Sequence, residues 1–554
     1  MVKPDRPTKA QPQWWLGAVG YEVYVRSFGD GSGDGVGDLE GVRNHLDHLA
    51  WLGVDAVWVT PFYPSPGFDH GYDVSDYEGV DPNHGTLADF DTLVTTAHEF
   101  GLRVLVDIVP NHTSHLHPWF LEAQRGRDNP YRDYYLWRDP KPGGEPPNNW
   151  VSHFGGPAWT FDEASGQYYC HLFLAQQPDL NWRNERVLEE FDAILRFWLD
   201  RGVDGFRVDV AHGLLKDPRF RDNPAIQGED HPDPNWRVFF SFDHRYDLDQ
   251  PETIEIYRRW RGVVAPYGAM LIGEIGLDDP ASIARYIRDD GLHSAFFLRP
   301  PWMGWEPTTI LDALRGMHDH DAVGVSWAID NHDHSRSVTR FGGGQRGASR
   351  SLAVTTLLFC LGGMPFLYQG QELGIGDGEV APDDAADPIA VRNAGAVGRD
   401  GARTAMPWEP GPGNGFTTGS PWLRAKDRSQ ADTVAGQLST PGAWIHRYRD
   451  LVLVRGRHPD LWREPAHWLP TASPTVAVVR CGTLFVVANL SPETVEITGI
   501  PDPVGLVFSS TTDPVEFADG RVVISAETTA ILEASGSTNA QAADSRLVAI
   551  RPRV

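Results

Sequence analysis

Apolar and polar positions along the chain keep changing period, from helical spacing to short apolar runs and back. Val19 to Phe28 alternates as a first strand. A helical stretch from Leu39 to Leu52 then leads to a strand at Ala56–Val59, and a second from Leu87 to Phe100 leads to Arg103–Val109. The pattern continues with helix Asn184–Arg201 before strand Asp204–Asp209, and helix Glu252–Pro266 before Ala269–Glu274. Helix Ala281–Asp289 precedes Ser294–Leu298, Thr308–His318 precedes Gly324–Ile329, and Ala348–Leu361 precedes Pro365–Tyr368. Eight strands alternating with helices predict the α/β class and a (β/α)8 TIM barrel.

Two stretches break the alternation. Asn111 to Asn181 is rich in Pro and Trp and weakly periodic, too long for a bare loop, and predicts a small domain inserted after strand three. A second irregular stretch runs from Gly374 to about Thr440, after which helix Ala443–Arg455 closes the barrel. From Arg463 onward, runs such as Thr475–Arg480 and Thr483–Asn489 predict a C-terminal antiparallel β-sandwich. The tail from about Ser535 is small and polar and reads as partly disordered. The predicted division is barrel 1–110, insert 111–181, barrel 182–462 and C-terminal β domain 463–554.

Size supports this division, since 554 residues hold one large barrel and smaller satellites. The formal charge of −27 argues against nucleic acid and anionic membrane surfaces and leaves a neutral substrate compatible. No apolar run is long enough to span a membrane; Leu357 to Tyr368 is short and carries Gly362, Gly363 and Pro365. The N-terminus lacks the apolar core of a signal peptide. Cys170, Cys360 and Cys481 are far apart and odd in number, so neither a disulfide framework nor a zinc site is expected, and the reading is a reduced, cytoplasmic protein. The 20 tryptophans, among them Trp119, Trp137, Trp150 and Trp159 of the insert, are assigned to core packing ahead of sugar stacking.

Chemistry collects at the carboxyl ends of the strands. Asp107, Asn111 and His112 follow strand three in DIVPNH. Strand four, in GFRVDVAH, carries Arg207 and Asp209 two residues apart and therefore on one face, where the guanidinium keeps the carboxylate ionised and oriented. Glu274 ends strand five, and Asn331, His332, Asp333 and Arg336 follow strand seven. Barrel active sites are built on that face from several strands at once. Carboxylates gathered on one rim suit glycoside cleavage, where one carboxyl acts as acid and another as nucleophile or base. Near the N-terminus, FGDGSGDGVGDLEG puts oxygen-bearing side chains at Asp30, Ser32, Asp34 and Asp38, a Gly-rich spacing suited to a hard cation. His45, His48, His98, His231 and His244 lie away from these clusters and are assigned to surface or packing roles.

These motifs resemble the α-amylase family (glycoside hydrolase family 13), in particular its α-glucosidase and oligo-1,6-glucosidase branch. DIVPNH, GFRVD, the Glu of GEI and NHD stand in the family's order. QPDLN at Gln177–Asn181, GYDVSDY after Asp69, ARTAMPW around Arg403 and PFLYQGQELG at Pro365–Gly374 match as well. The resemblance implies Asp209 as nucleophile, Glu274 as general acid then base, and Asp333 as the carboxylate on the 2- and 3-hydroxyls. Arg207, His112 and His332 would support them, and Asp69, Tyr72 and Arg403 would hold a terminal glucose in a closed pocket. It also implies a structural Ca2+ or Mg2+ held by Asp30, Ser32, Asp34, the Val36 carbonyl and Asp38, and no organic cofactor. Four positions depart from the family pattern or bear on linkage: Ser32 replaces a usual Asn, Ala405 a usual Pro, His334 follows NHD where a smaller or amide residue is common, and Val210 resembles α-1,6-acting members.

The function expected from the sequence is a retaining exo-acting α-glucosidase on short oligosaccharides or α-glucosides, with Asp209 and Glu274 about 5–5.5 Å apart. A transglucosidase or sugar-isomerising synthase shares every catalytic residue and is the alternative. A non-catalytic homologue is disfavoured because all three carboxylates are present.

Overall fold

The computed structural model describes residues 13–227, 236–321, 324–392, 397–463, 466–500, 503–518, 520–534 and 548–552. Its centre is a closed barrel of eight parallel strands: β1 (Gly20–Val23), β2 (Ala56–Val59), β3 (Arg103–Ile108), β4 (Gly205–Val208), β5 (Met270–Ile275), β6 (Ser294–Phe297), β7 (Val325–Trp327) and β8 (Met364–Tyr368). Neighbours in sequence are neighbours in the ring, and β8 pairs with β1. The predicted (β/α)8 architecture is what forms.

Strand register sorts the interior into layers. Leu105 pairs with Gly205 and Gly205 with Met270, and two residues on Asp107 pairs with Arg207. Ala56, Leu105, Met270, Ile272, Phe296 and Phe366 thus form an apolar floor, and the charged side chains stand above it towards the carboxyl ends. Gly205 is needed here: a Cβ at that position would lie 2.7 Å from the Met270 side chain and 2.8 Å from that of Leu105. The outward-facing strand residues pack against the helices in one large core.

Several element ends differ from expectation, each for a local reason. The first strand stops at Val23 and Val25–Phe28 is helical. Beyond Val23 the amides leave the ladder, Tyr24 N–H donating to Gln369 Oε1 and Val25 N–H to Thr60 Oγ1. The helix expected over Leu39–Leu52 is two, Leu39–Asn44 and Leu46–Leu52, broken at His45. That ring bonds the Gly41 carbonyl at 2.8 Å and stacks on Trp408. The helix expected over Ala281–Asp289 covers only Pro280–Ala284, because Leu292 N–H turns back to the Tyr286 carbonyl.

Between β3 and β4 the chain forms helix Pro118–Ala123 and a three-stranded antiparallel sheet of Trp137–Arg138, Gln167–Cys170 and Trp159–Asp162. Trp137, Trp150 and Trp159 are buried there, as packing residues. The C-terminal region holds two antiparallel sheets of five and four strands. In the five-stranded sheet, Val478, Val487 and Leu532 face the smaller sheet, while Val479, Val486 and Ile531 face the barrel, the period of two expected of strands with both faces covered. The tail expected to be disordered lies largely outside the described residues, but Ala549–Pro552 is a strand paired with Val495–Thr498. Among the described residues no helix is long and apolar enough to cross a membrane.

Candidate active site

Arg207 leaves β4 into the middle of the barrel and is almost fully buried. One guanidinium nitrogen lies 2.6 Å from Asp209 Oδ1 and 2.9 Å from Asp107 Oδ1, and the other lies 3.0 Å from Glu274 Oε2. Three carboxylates from three adjacent strands therefore share one cation. The chain turns sharply just after Asp209, where Val210 takes φ 44, a left-handed conformation costly for a β-branched residue. That turn points the Val210 N–H at Glu274 Oε2, 2.9 Å away. Burial pushes the Asp209 carboxyl well above its usual range, with Glu274 and Asp107 adding to the effect and Arg207 opposing it. Burial likewise lifts Asp107 to about 7, against the pull of Arg207. Asp107 and Asp209, held by one guanidinium, titrate together.

Asp333 follows β7 and stands opposite. Its Oδ1 accepts from Arg399 and Arg403, each at 2.9 Å. Burial works against its charge, but His332 and the two guanidiniums outweigh it and hold the carboxyl well below the usual range. His332 is clamped by Glu22 at 2.5 Å and the Tyr72 hydroxyl at 2.7 Å, its ring stacked between Tyr24 and Tyr72. Tyr72 also donates to Asp107 Oδ2 at 3.1 Å, which links this group to the Arg207 cluster.

Asp69, which also lines the cavity, accepts from Gln177 Nε2 and from Arg399, both at 3.1 Å. Burial raises Asp69 to about 6, against Arg399 and Arg403. His112 sits beside it, within 3.1 Å of Gln177 Nε2 and of the Tyr72 carbonyl, and burial lowers its ring to about 4, so it is neutral in ordinary buffers. Lys216 behind it pairs with Asp179 at 2.8 Å and donates to Asn111 Oδ1.

The structure thus gathers Asp69, Tyr72, His112, Arg207, Asp209, Glu274, His332 and Asp333 around one site, and Asp69, Tyr72, His112, Asp209, Glu274 and Asp333 line the cavity itself. Arg403 is placed differently. It is fully buried behind the cavity, with its Nε on the His332 carbonyl at 2.7 Å. Arg399, four residues earlier and unremarked in the sequence, lines the cavity and ties Asp69, Asp333 and Asp387 together. Both arginines stand in the one run GRDGART, and the short 3-10 helix Asp400–Arg403 decides which side chain reaches the site. The other wall is aromatic and apolar: Phe154, Phe173, Trp236, Phe240, Leu298 and Trp302. Nothing in their spacing marked them, because they come from loops distant in sequence.

The acidic loop near the N-terminus is closed on itself. Asp30 accepts from the Gly33 and Gly35 amides, both at 2.7 Å, and from the hydroxyls of Ser32 and Thr417. Asp38 caps helix Leu39–Asn44 through Gly41 N–H and also accepts from Gly31 and Ser32 N–H, while Asp34 accepts from Val36 N–H. Among the described residues no three acidic, imidazole or thiolate groups converge to hold a metal. With Asp30, Asp34 and Asp38 each engaged by amide or hydroxyl donors, the side-chain donor set in this arrangement does not fit the expected Ca2+ or Mg2+. Of the histidines set aside, His48 bonds Glu372, His98 bonds Asp204 and His244 bonds Asp247; His231 lies outside the described residues.

Known proteins resemble this chain along most of its length. The family profile of the alpha amylase catalytic domain matches residues 22–464. The probable alpha-glucosidase of Rhizobium meliloti (strain 1021) is 39% identical over 89% of this chain and 91% of its own length. The oligo-1,6-glucosidase of Heyndrickxia coagulans is 36% identical over 87% and 93%. Among solved structures, an alpha-glucosyl transfer enzyme superposes with a TM-score of 0.88 at 37% identity, covering 95% of this chain and all of the other. The trehalulose synthase of Pseudomonas mesoacidophila MX-45 superposes with a TM-score of 0.83 at 31% identity, covering 96% of this chain and 100% of that one.

Proposed function

Since this chain belongs to the alpha-amylase family of glycoside hydrolases, we propose that it is a retaining, exo-acting α-glucosidase for short α-glucosides. The observation that carries the reading is Arg207 held between Asp209 and Glu274, which fixes two carboxyls side by side on one rim. Asp209, gripped by the guanidinium, attacks the anomeric carbon. Glu274, backed by the Val210 amide, gives its proton to the glycosidic oxygen as that bond breaks, and a β-glucosyl-enzyme forms. Water then enters, gives a proton to Glu274 and displaces Asp209 from the sugar, so α configuration is retained. Asp333, kept ionised by Arg399 and Arg403, accepts from ring hydroxyls and stabilises the positive charge that develops at the transition state.

For exo action the support is the family resemblance, in which Asp69, here bonded to Gln177 and Arg399, would hold the terminal sugar. Short neutral glucosides suit the site, because the carboxylates lining the cavity, Asp69, Asp209, Glu274 and Asp333, outnumber its one arginine, Arg399, and the net charge of −27 also disfavours a polyanion.

Transfer of the glucosyl unit to another hydroxyl is the second reading, favoured by the apolar wall of Phe240, Leu298 and Trp302, which an organic acceptor can cover in place of water. One experiment addresses both. The enzyme is incubated with maltose, isomaltose, nigerose, kojibiose, trehalose and sucrose, and the first-formed anomer, free glucose and new oligosaccharides are followed together, with Asp209→Ala as the inactive control. α-Glucose released first supports the retaining hydrolase; β-glucose released first rejects it. New oligosaccharides with little free glucose make transfer the main activity.

A further inference from the structure

We propose that Lys216 is a positioning residue: acting through the Asn111 side chain, it holds the single proton of the His112 ring on Nε2 and so keeps the Asp69 and Tyr72 side of the cavity in one hydrogen-bonded arrangement. The kinetic part of this inference rests on the glucosidase reading above; the place of the proton does not.

The Nε2 end of His112 leaves the tautomer open. Gln177 Oε1 accepts from Leu174 N–H at 3.0 Å and its Nε2 donates to Asp69 Oδ2 at 3.1 Å, so the orientation of that amide is settled and one N–H is left over. His112 Nε2 lies 3.1 Å from this donor nitrogen and 3.1 Å from the Tyr72 carbonyl, an acceptor. With a proton, Nε2 bonds Tyr72; with a lone pair, it bonds Gln177. Burial keeps the ring neutral, so one nitrogen carries the proton and the other does not.

The Nδ1 end decides, and Lys216 sets it. Asn111 Oδ1 lies 2.6 Å from Lys216 Nζ, and an ammonium can only donate, so that atom is the amide oxygen. Asn111 Nδ2 then stands 3.1 Å from Asp179 Oδ1 and 3.1 Å from His112 Nδ1, with one N–H for each. His112 Nδ1 must accept, which sends the ring proton to Nε2 and on to the Tyr72 carbonyl. Turning the Asn111 amide over would reverse the chain, with Nδ1–H on Oδ1 and Gln177 on Nε2. The ammonium opposes this, because donor would meet donor, and Asp179 opposes it from the other side. Lys216 is itself held fast: Nζ donates to the Gly213 carbonyl at 2.6 Å and pairs with Asp179 at 2.8 Å, and Lys216, Asn111, Asp179 and His112 are all buried. In the reversed state the Tyr72 carbonyl loses its imidazole donor. That residue lines the cavity, its N–H bonds the Asp69 carbonyl at 3.0 Å, and its hydroxyl bonds Asp107 and His332.

The test is 15N NMR of enzyme labelled at histidine, in wild type and Lys216→Met, with the His112 signals assigned by their loss in His112→Gln. Steady-state kinetics on the best disaccharide of the panel run alongside. The expected result is a protonated Nε2 and a bare Nδ1 in wild type. In Lys216→Met, protonated Nδ1 should appear and kcat/KM should fall about 10-fold, carried mainly by KM. A wild-type proton on Nδ1, or an unchanged Nε2–H signature in Lys216→Met, overturns the proposal even where the variant has lost thermal stability. A moved proton with kcat/KM within about twofold of wild type overturns the link to the cavity. Should Lys216→Met not fold, Asn111→Asp places an acceptor oxygen where Nδ2 now donates: protonated Nδ1 in that variant supports the relay, and Nε2–H alone rejects it. A wild type inactive on every sugar overturns the glucosidase reading, and the NMR result then still decides where the proton sits.

Discussion

Arg207 answers to Asp107, Asp209 and Glu274 together, so the site's acid–base behaviour belongs to the group and not to one member. Asp107 is the member that touches no substrate position and can be varied. While ionised it raises the proton affinity of its neighbours, so Asp107→Asn should lower theirs and move the acid limb of the kcat/KM–pH profile to lower pH, by on the order of one unit. A limb that stays in place or moves up would show that Asp107 is not electrically coupled to the reacting pair. Arg399 makes the second case at this scale. Its fork spans Asp69, Asp333 and Asp387, and a lysine's single ammonium cannot reproduce three separated contacts. Arg399→Lys should therefore lose about 100-fold in kcat/KM, roughly 3 kcal/mol of transition-state stabilisation. Steady-state kinetics within threefold of wild type would return the role to Arg403.

At the scale of elements, the barrel depends on how helix ends are satisfied. Arg455, on the closing helix Trp444–Arg457, is fully buried and donates to the carbonyls of Phe359, Gly362 and Gly363. Those carbonyls lie at the end of helix Gly344–Leu358 and at the entry to β8, where helix-terminal carbonyls need donors from outside the helix. Arg455→Met keeps much of the volume and removes the donors, which should cost on the order of 2–4 kcal/mol and lower the thermal midpoint. An unchanged midpoint would mean that water replaces the guanidinium. The same kind of local contest explains where expected elements ended early. His45 interrupts a sequence whose apolar spacing alone reads as one helix, because its ring finds Trp408, some 360 residues on, and the Gly41 carbonyl.

At the scale of the whole molecule, two of the contacts that join parts distant in sequence carry predictions. Glu527, in the turn before strand Thr528–Ala534, pairs with Arg346 and Arg350 on helix Gly344–Leu358. Glu527→Ala should leave turnover within about twofold, since neither Glu527 nor its two arginines lines the cavity, yet speed limited proteolysis within 466–534. Cleavage at the wild-type rate would show that apolar packing alone holds the two parts. The acidic loop is the other contact, tied to Thr417 through Asp30. With its carboxylates occupied by amides and hydroxyls, the thermal midpoint should agree within about 1 °C in EDTA and in millimolar Ca2+. A clear rise with Ca2+ would restore the loop to the metal-binding role that its spacing suggests.

Chain order by itself determined the barrel and most of the carboxylate rim at its strand ends. A strand's period of two and a helix's 3.6 are local, so apolar spacing located all eight strands, and the strand ends located Asp209, Glu274 and Asp333. Tertiary structure alone decided the features that depend on contacts across hundreds of residues. Arg399 rather than Arg403 lines the pocket because a 3-10 turn orients them against Asp69, some 330 residues earlier. The Asp30 loop closes on amides because Thr417 and its own backbone reach the carboxylate. Composition and spacing set what each residue can offer; which offer is taken up depends on the partner that folding brings within hydrogen-bond reach.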